Sequence, residues 1–204
     1  ILGNQFDTIY HEHFSYFSLL AAERLFVRHG LRVFDVDELS THGGSLRLYV
    51  CHTAAERHSI GATVSKVRSD ERAAGLETLS AYACFQEQTH ETKRALLAFL
   101  IGAKREGKRI VGYGAAAKGN TLLNYCGVRG DFLEYIADLS PHKQGKFLPG
   151  THIPVVAPAR IRETRPDYLL VLPWNIKDEI MSQNAFIRDW GGRFVLPIPH
   201  AEVL

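Results

Sequence analysis

Residues 109–125 constrain the fold of this chain more than any other stretch. Arg109-Ile110-Val111-Gly112-Tyr113-Gly114 reads as a strand running into a glycine turn, and Ala115 to Tyr125 continues as a helix. The segments that follow keep alternating. Phe132 to Ala137 reads as a second strand ending at Asp138, and Pro158 to Glu163 allows a short helix. Tyr168 to Leu172 is an unbroken apolar run, the pattern of a strand buried on both faces. Asp178 to Trp190 is helical up to Gly191-Gly192, and Arg193 to Ile198 is a last strand. Parallel neighbours need crossover connections, so the order β-α-β-(α)-β-α-β implies a parallel sheet flanked by helices.

The region before Gly107 reads differently. Phe14, Phe17, Leu20, Ala21, Leu25 and Phe26 recur at three- and four-residue spacing, which predicts an amphipathic helix over Phe14–His29 closed by Gly30. Leu31–Val36 and Ser45–Cys51 are short β-type runs around the turn Thr41-His42-Gly43-Gly44-Ser45, so a hairpin-like pair is expected. From Asp70 to about Glu106 the pattern is helical, with one stripe of Leu76, Leu79 and Ala83 and another of Leu96, Leu97 and Leu100. The polar stretch Gln86–Thr92 is either a break between two helices or an exposed face. The expected class is α/β: a Rossmann-like parallel sheet with flanking helices, plus a small N-terminal α+β portion. The expected divisions are an N-terminal segment at 1–69, a helical connection at 70–107 and the sheet domain at 108–204.

Composition narrows the setting. The chain has 204 residues, 46% apolar and 23% charged, as an ordinary globular protein does, and its net charge of +2 is too small to imply nucleic acid. Cys51, Cys84 and Cys126 are scattered, odd in number and in no metal-like spacing, which points to a reducing, cytoplasmic setting. No apolar stretch is long enough to span a membrane, and no basic-then-apolar leader opens the chain.

The glycine turn carries chemistry as well as fold. Gly112 to Ala117 fits G-x-G-x-x-A, the dinucleotide fingerprint in its alanine form. Small residues let the backbone approach phosphates, and a helix N-terminus offers unpaired N–H groups. Lys118 and Asn120 add an ammonium and an amide at the same rim. Asp138 lies where an acid would meet a ribose hydroxyl, or is simply a strand-end turn residue. The loop Pro141–Gly150 brings Lys143 and Lys146, and Pro173-Trp174-Asn175 follows the third strand at the same edge of the sheet. An NAD(P)-binding oxidoreductase or sensing module is one reading of this loop, although Lys118 is unusual for it.

Tyr10-His11-Glu12-His13 places a phenol, two imidazoles and a carboxylate in four consecutive positions. Imidazole is the side chain best suited to proton transfer near neutral pH, and an adjacent carboxylate can orient it. On a helix Tyr10 and His13 share a face; on an extended segment Tyr10 pairs with Glu12 and His11 with His13. His11-x-His13 also suits a metal ion, but no third ligand is identifiable by spacing.

Taken together, Phe6–Ser18, the His42–Arg47 turn, Gly-Ala-Ala-Ala-Lys-Gly-Asn at 114–120, Lys143-Gln144-Gly145, Leu148–Pro154 and Leu172-Pro173-Trp174-Asn175 resemble the C-terminal region of the nucleotide-sugar C-methyltransferases. The resemblance covers nearly the whole chain. It implies an S-adenosylmethionine-dependent enzyme that methylates carbon 3 of an NDP-4-keto-deoxyhexose through an enolate. It implies His13 as the base, supported by Glu12 and Tyr10, with His11 structural. It further implies substrate contacts from His42, Ser45, Gly114, Lys118, Asn120, Lys143, Trp174 and Asn175, and no metal in this part. Family members carry a zinc-binding and a methyl-donor domain upstream. Neither is recognisable here, so the chain is expected to be a fragment, inactive alone, whose partner is the upstream domain of the same polypeptide. Asp138-Leu139-Ser140-Pro141 departs from the family's usual Asp-Arg-Asn-Pro, which removes an expected arginine contact.

Overall fold

The computed structural model describes all 204 residues, and the chain divides into two compact units. One comprises Phe14–Gln86; the other joins Gly3–His13 to Glu87–Leu204. The N-terminal strip 3–13 therefore belongs with the larger sheet and not with the β pair that follows it in sequence.

In the smaller unit, helix α1 spans Leu19–Arg28 and begins five residues later than the periodicity predicts. Ser18 Oγ accepts the Ala21 N–H at 3.1 Å, and Glu71 accepts the N–H groups of Leu19 (2.6 Å) and Leu20 (2.8 Å). These acceptors satisfy the donors that a helix start leaves open, so the helix starts there. Phe14, at the foot of the predicted stripe, is 94% exposed. Strands β1 (Leu31–Leu39) and β2 (Ser45–His52) pair antiparallel, with a bulge between Val33 and Asp35. Helix α2 (Ala62–Ala73), not foreseen, supplies Val64 and Val67 to a small core with Leu19, Val33 and Val36. Helix α3 (Leu79–Arg105) starts after a break around Gly75. The polar stretch 86–92 is thus continuous helix, and Leu79 is 88% exposed, so the predicted Leu76/Leu79/Ala83 stripe faces no core.

The larger unit is built on a six-stranded sheet. β3 (Ile110–Tyr113), β4 (Ile136–Ala137), β5 (Val155–Val156), β6 (Tyr168–Val171), β7 (Arg193–Leu196) and β8 (Glu202–Val203) lie in the order β5-β4-β3-β6-β7-β8. The first five are parallel and β8 runs antiparallel at the edge. The expected parallel sheet is corrected by the antiparallel edge strand β8 and extended by β5, a parallel strand that was not foreseen. Helices α4 (Ala117–Cys126), α5 (Ala159–Thr164) and α6 (Lys177–Gln183) make the connections; a 3-10 turn at Trp174–Ile176 precedes α6, and another at Ala185–Trp190 replaces the C-terminal half of the predicted helix. Alternate residues Val111, Tyr113, Leu169, Val171, Phe194 and Leu196 pack with Ile161 of α5 and Ile180 of α6. The intervening Ile110, Leu170 and Val195 are fully buried too, as a sheet covered on both faces requires.

From β3 the chain moves outward through β4 and β5, then returns to place β6 and β7 on the other side. The carboxyl ends of β3 and β6 thus flank the point where strand order reverses, the crevice where open α/β sheets hold ligands.

Candidate functional site

Three contacts fasten the N-terminal strip to the larger unit, the third of them at this crevice. Asn4 Nδ2 donates to the Gln88 carbonyl at 3.0 Å and to Thr92 Oγ1 at 2.5 Å, tying the strip to α3. The Phe6 ring lies 5.0 Å from that of Tyr125 on α4. Asp7, fully buried in the 3-10 turn Phe6–Thr8, accepts the indole N–H of Trp174 on Oδ2 at 2.7 Å. Its Oδ1 is buried with no hydrogen-bond partner. Burial pushes the Asp7 carboxyl above the usual carboxylate range, against the opposing pull of the Trp174 bond and the Lys118 charge.

Beyond this turn, Tyr10–His13 is neither helix nor strand but a single tight turn, closed by the His13 N–H on the Tyr10 carbonyl at 2.9 Å. The turn sets the Tyr10 and His13 rings 4.2 Å apart between centroids. His13 is exposed, and its Nδ1 lies 3.0 Å from the Thr8 carbonyl. A carbonyl only accepts, so Nδ1 carries the proton in that contact and the lone pair of the neutral ring resides on Nε2. Glu12 is exposed and comes within 3.9 Å of His11, not His13. His11, expected to be structural, has a side chain 86% accessible.

At the crevice, Gly114 is buried with φ +90°, and a Cβ there would run into the ring of Pro173 beyond β6. Gly119, in the first turn of α4, seats that helix on Leu172: a Cβ would lie 2.7 Å from the Leu172 Cβ. Lys118, only 7% exposed, donates to Asn175 Oδ1 at 3.2 Å and holds its ammonium 4.5 Å from the Trp174 ring centroid. Burial lowers its pKa, opposed by the Asp7 charge. Gly114, Lys118, Trp174 and Asn175 are thus brought together, and Asp7 joins them. The sequence reading gives Asp7 no role. Its only signal was an acid set between Phe6 and Ile9 in an otherwise apolar spacing.

Asp138 is committed to its own chain. Oδ2 accepts the Ala115 N–H at 2.7 Å and Lys143 Nζ at 3.3 Å, while Oδ1 accepts the Ser140 N–H at 2.8 Å. That is the work of a strand-end turn residue, and it uses three of the carboxylate's acceptor sites. Lys143 is placed beside the glycine turn through the same carboxylate. Asn120 is drawn away, accepting from Asn124 Nδ2 on both its carbonyl (2.9 Å) and its Oδ1 (3.2 Å). His42 and Ser45 belong to the smaller unit: His42 sits exposed in a 3-10 turn with φ +57°, and Ser45 opens β2 with its Oγ on the Thr41 carbonyl at 3.1 Å. A cavity of about 330 Å³ opens beside Tyr113, walled by Leu139, Pro158, Arg162 and Phe186, with the Arg162 guanidinium 3.6 Å from the Phe186 ring centroid. No three His, Cys, Asp or Glu side chains are gathered as a metal centre would require. No helix is long and apolar enough to cross a membrane.

Residues 40–199 match the C-methyltransferase C-terminal domain family. The chain belongs to that family. The chain is also similar to the C-methyltransferase NovU of Streptomyces niveus, at 39% identity over 202 residues. That alignment covers 99% of this chain and 48% of the relative, so the chain spans about half the length of the curated protein it matches. Membership bears on the glycine turn directly: nothing in the family assignment or in the engaged Asp138 favours the NAD(P)-dependent alternative.

Proposed function

We propose that this chain is the substrate-binding and base-supplying part of an S-adenosylmethionine-dependent C-methyltransferase acting on carbon 3 of an NDP-4-keto-deoxyhexose. The strand order β5-β4-β3-β6-β7 supports a Rossmann-like reading of its sheet, with the nucleotide sugar's diphosphate at the carboxyl edge. S-adenosylmethionine, when bound, presents a methyl group on a sulfonium. The residues here do not fit that donor, because Asp138, the acid at the ribose position, is held by Ala115, Ser140 and Lys143. The donor and its site are assigned to an upstream domain of the same polypeptide.

The observation that carries the reading is the His13 ring, oriented by the Thr8 carbonyl and tilted against the Tyr10 ring at 4.2 Å on an exposed turn. A hydrogen beside a ketone is removed only by a base at hydrogen-bond distance, with a donor for the oxygen that gains charge. In this proposal His13 Nε2 takes the carbon 3 proton. The Tyr10 hydroxyl donates to the enolate oxygen, and Glu12 orients a sugar hydroxyl. Lys118 and Lys143 face the diphosphate from the two sides of the glycine turn, with Trp174 and Asn175 lining the nucleotide; Asn120, turned onto Asn124, is included on the resemblance alone. For His42 and Ser45 the assignment rests on the resemblance alone.

Proton exchange at carbon 3 isolates the base from methyl transfer. In D2O without methyl donor, the intact enzyme is expected to wash deuterium into carbon 3 of the ketosugar. His13→Asn is expected to abolish both exchange and methylation while leaving sugar-nucleotide affinity within about threefold. Wild-type exchange in that variant would remove His13 from the role.

A further inference from the structure

We infer that Asp7 is a positioning residue, a latch that transmits the geometry of the crevice to the His13 ring. The inference rests on the reading of His13 as base and adds to it a residue outside the Tyr10–His13 run.

The contacts form an unbroken series within one unit. Lys118 and Asn175 hold each other at 3.2 Å, and the Lys118 ammonium rests near the Trp174 ring. Trp174 donates its indole N–H to Asp7 Oδ2 at 2.7 Å. Asp7 sits in a 3-10 turn made rigid by the Thr8 hydroxyl on the Gln5 carbonyl at 2.8 Å and by the Ile9 N–H on the Phe6 carbonyl at 3.0 Å. The next residue, Thr8, offers the carbonyl that orients His13 Nδ1. One peptide unit therefore separates the buried carboxylate from the acceptor that aims the imidazole.

Stability does not account for this carboxylate. A fully buried acid whose Oδ1 has no hydrogen-bond partner loses hydration that the Trp174 bond and the Lys118 charge return only in part, which is why its pKa is raised. Phe6 on Tyr125 and Asn4 on Thr92 already fasten the strip. What Asp7 adds is direction: a single acceptor fixes the rotation of the turn relative to Trp174, and so the line along which Thr8 presents its carbonyl. Misplacement of a reacting group by about 1 Å can cost a hundredfold in rate, so such a latch acts on turnover more than on affinity.

The test uses the intact enzyme with Asp7→Ala, which removes the acceptor, and Asp7→Asn, which keeps an oxygen for the indole. Asp7→Ala is expected to lower kcat about tenfold or more, with the sugar-nucleotide KM within about threefold, and Asp7→Asn to recover most of the loss. In 15N-tryptophan spectra the Trp174 indole resonance, identified by its disappearance in Trp174→Phe, is expected to shift upfield in Asp7→Ala and less in Asp7→Asn. Wild-type kcat in Asp7→Ala, a loss confined to KM, or an unmoved indole resonance overturns the inference. If Asp7→Ala does not fold, Trp174→Phe breaks the same bond from the other side, and an unchanged kcat there overturns it equally. His13→Asn separates the two readings: its turnover judges the base, while its Trp174 resonance, expected at the wild-type position, still reports the latch.

Discussion

The turns Thr41–Ser45 and Gly112–Asn120 look alike in sequence, each a cluster of glycines beside polar residues, and the fold uses them for opposite reasons. At Gly44, φ is +127° and an added Cβ would meet nothing within 4 Å. That glycine supplies conformation alone, in a turn open to solvent. At Gly114, φ is +90° and the Cβ position is already occupied by Pro173. Gly112 has ordinary backbone angles, yet its Cβ would strike Ile136, and Gly119 is pressed on Leu172. The second turn needs missing volume, so that α4, β4 and the end of β6 can close on one another. A glycine in a sequence signals freedom; only its neighbours say whether freedom or space is what the fold requires.

Substitution is expected to cost most at Gly114. Gly114→Ala combines a disfavoured φ with a clash and is expected to destabilise the protein by about 4 kcal/mol, measured by urea denaturation. A loss near that of Gly44→Ala would mean that space at Pro173 is not limiting. Gly112→Ala suffers only the clash and is expected to cost about 2 kcal/mol. Because the atom it meets is the Ile136 Cδ1, Ile136→Val removes the obstacle, and the double variant is expected to be about 1 kcal/mol more stable than the two single losses predict. Strict additivity would show that Gly112 is needed for something other than contact with β4. Gly44→Ala, with backbone cost alone, is expected to lose about 1 kcal/mol and to be unaffected by any neighbouring substitution.

Much of the α/β alternation was legible because its elements announce themselves locally. β3, α4, β6 and β7 each carry a run of apolar residues with the right period and a turn at the end. The two-residue strands β5 and β8 were not legible: Val155-Val156 and Glu202-Val203 become strand only because β4 and β7 offer them hydrogen bonds. The polar stretch 86–92 left a break and an exposed helical face equally open; it is helix, yet Thr89 and Thr92 are buried there and Thr92 receives Asn4. The candidate site divides in the same way. Lys118, Trp174 and Asn175 could be gathered from sequence because all three follow strands at one edge of a parallel sheet. Asp7 could not, since its partner lies 167 positions away.

What the sequence determined by itself is local: where a strand must give way to a helix, which residues can move a proton, and which turns need glycine. Those depend on backbone preferences and side-chain chemistry that neighbours a few positions apart already settle. The tertiary structure alone decided that the strip 3–13 joins the large sheet unit, that Asp138 spends its oxygens on its own chain, and that a buried carboxylate meets Trp174. Each of these is a contact between distant segments, chosen by how buried polar groups find partners once the core has closed.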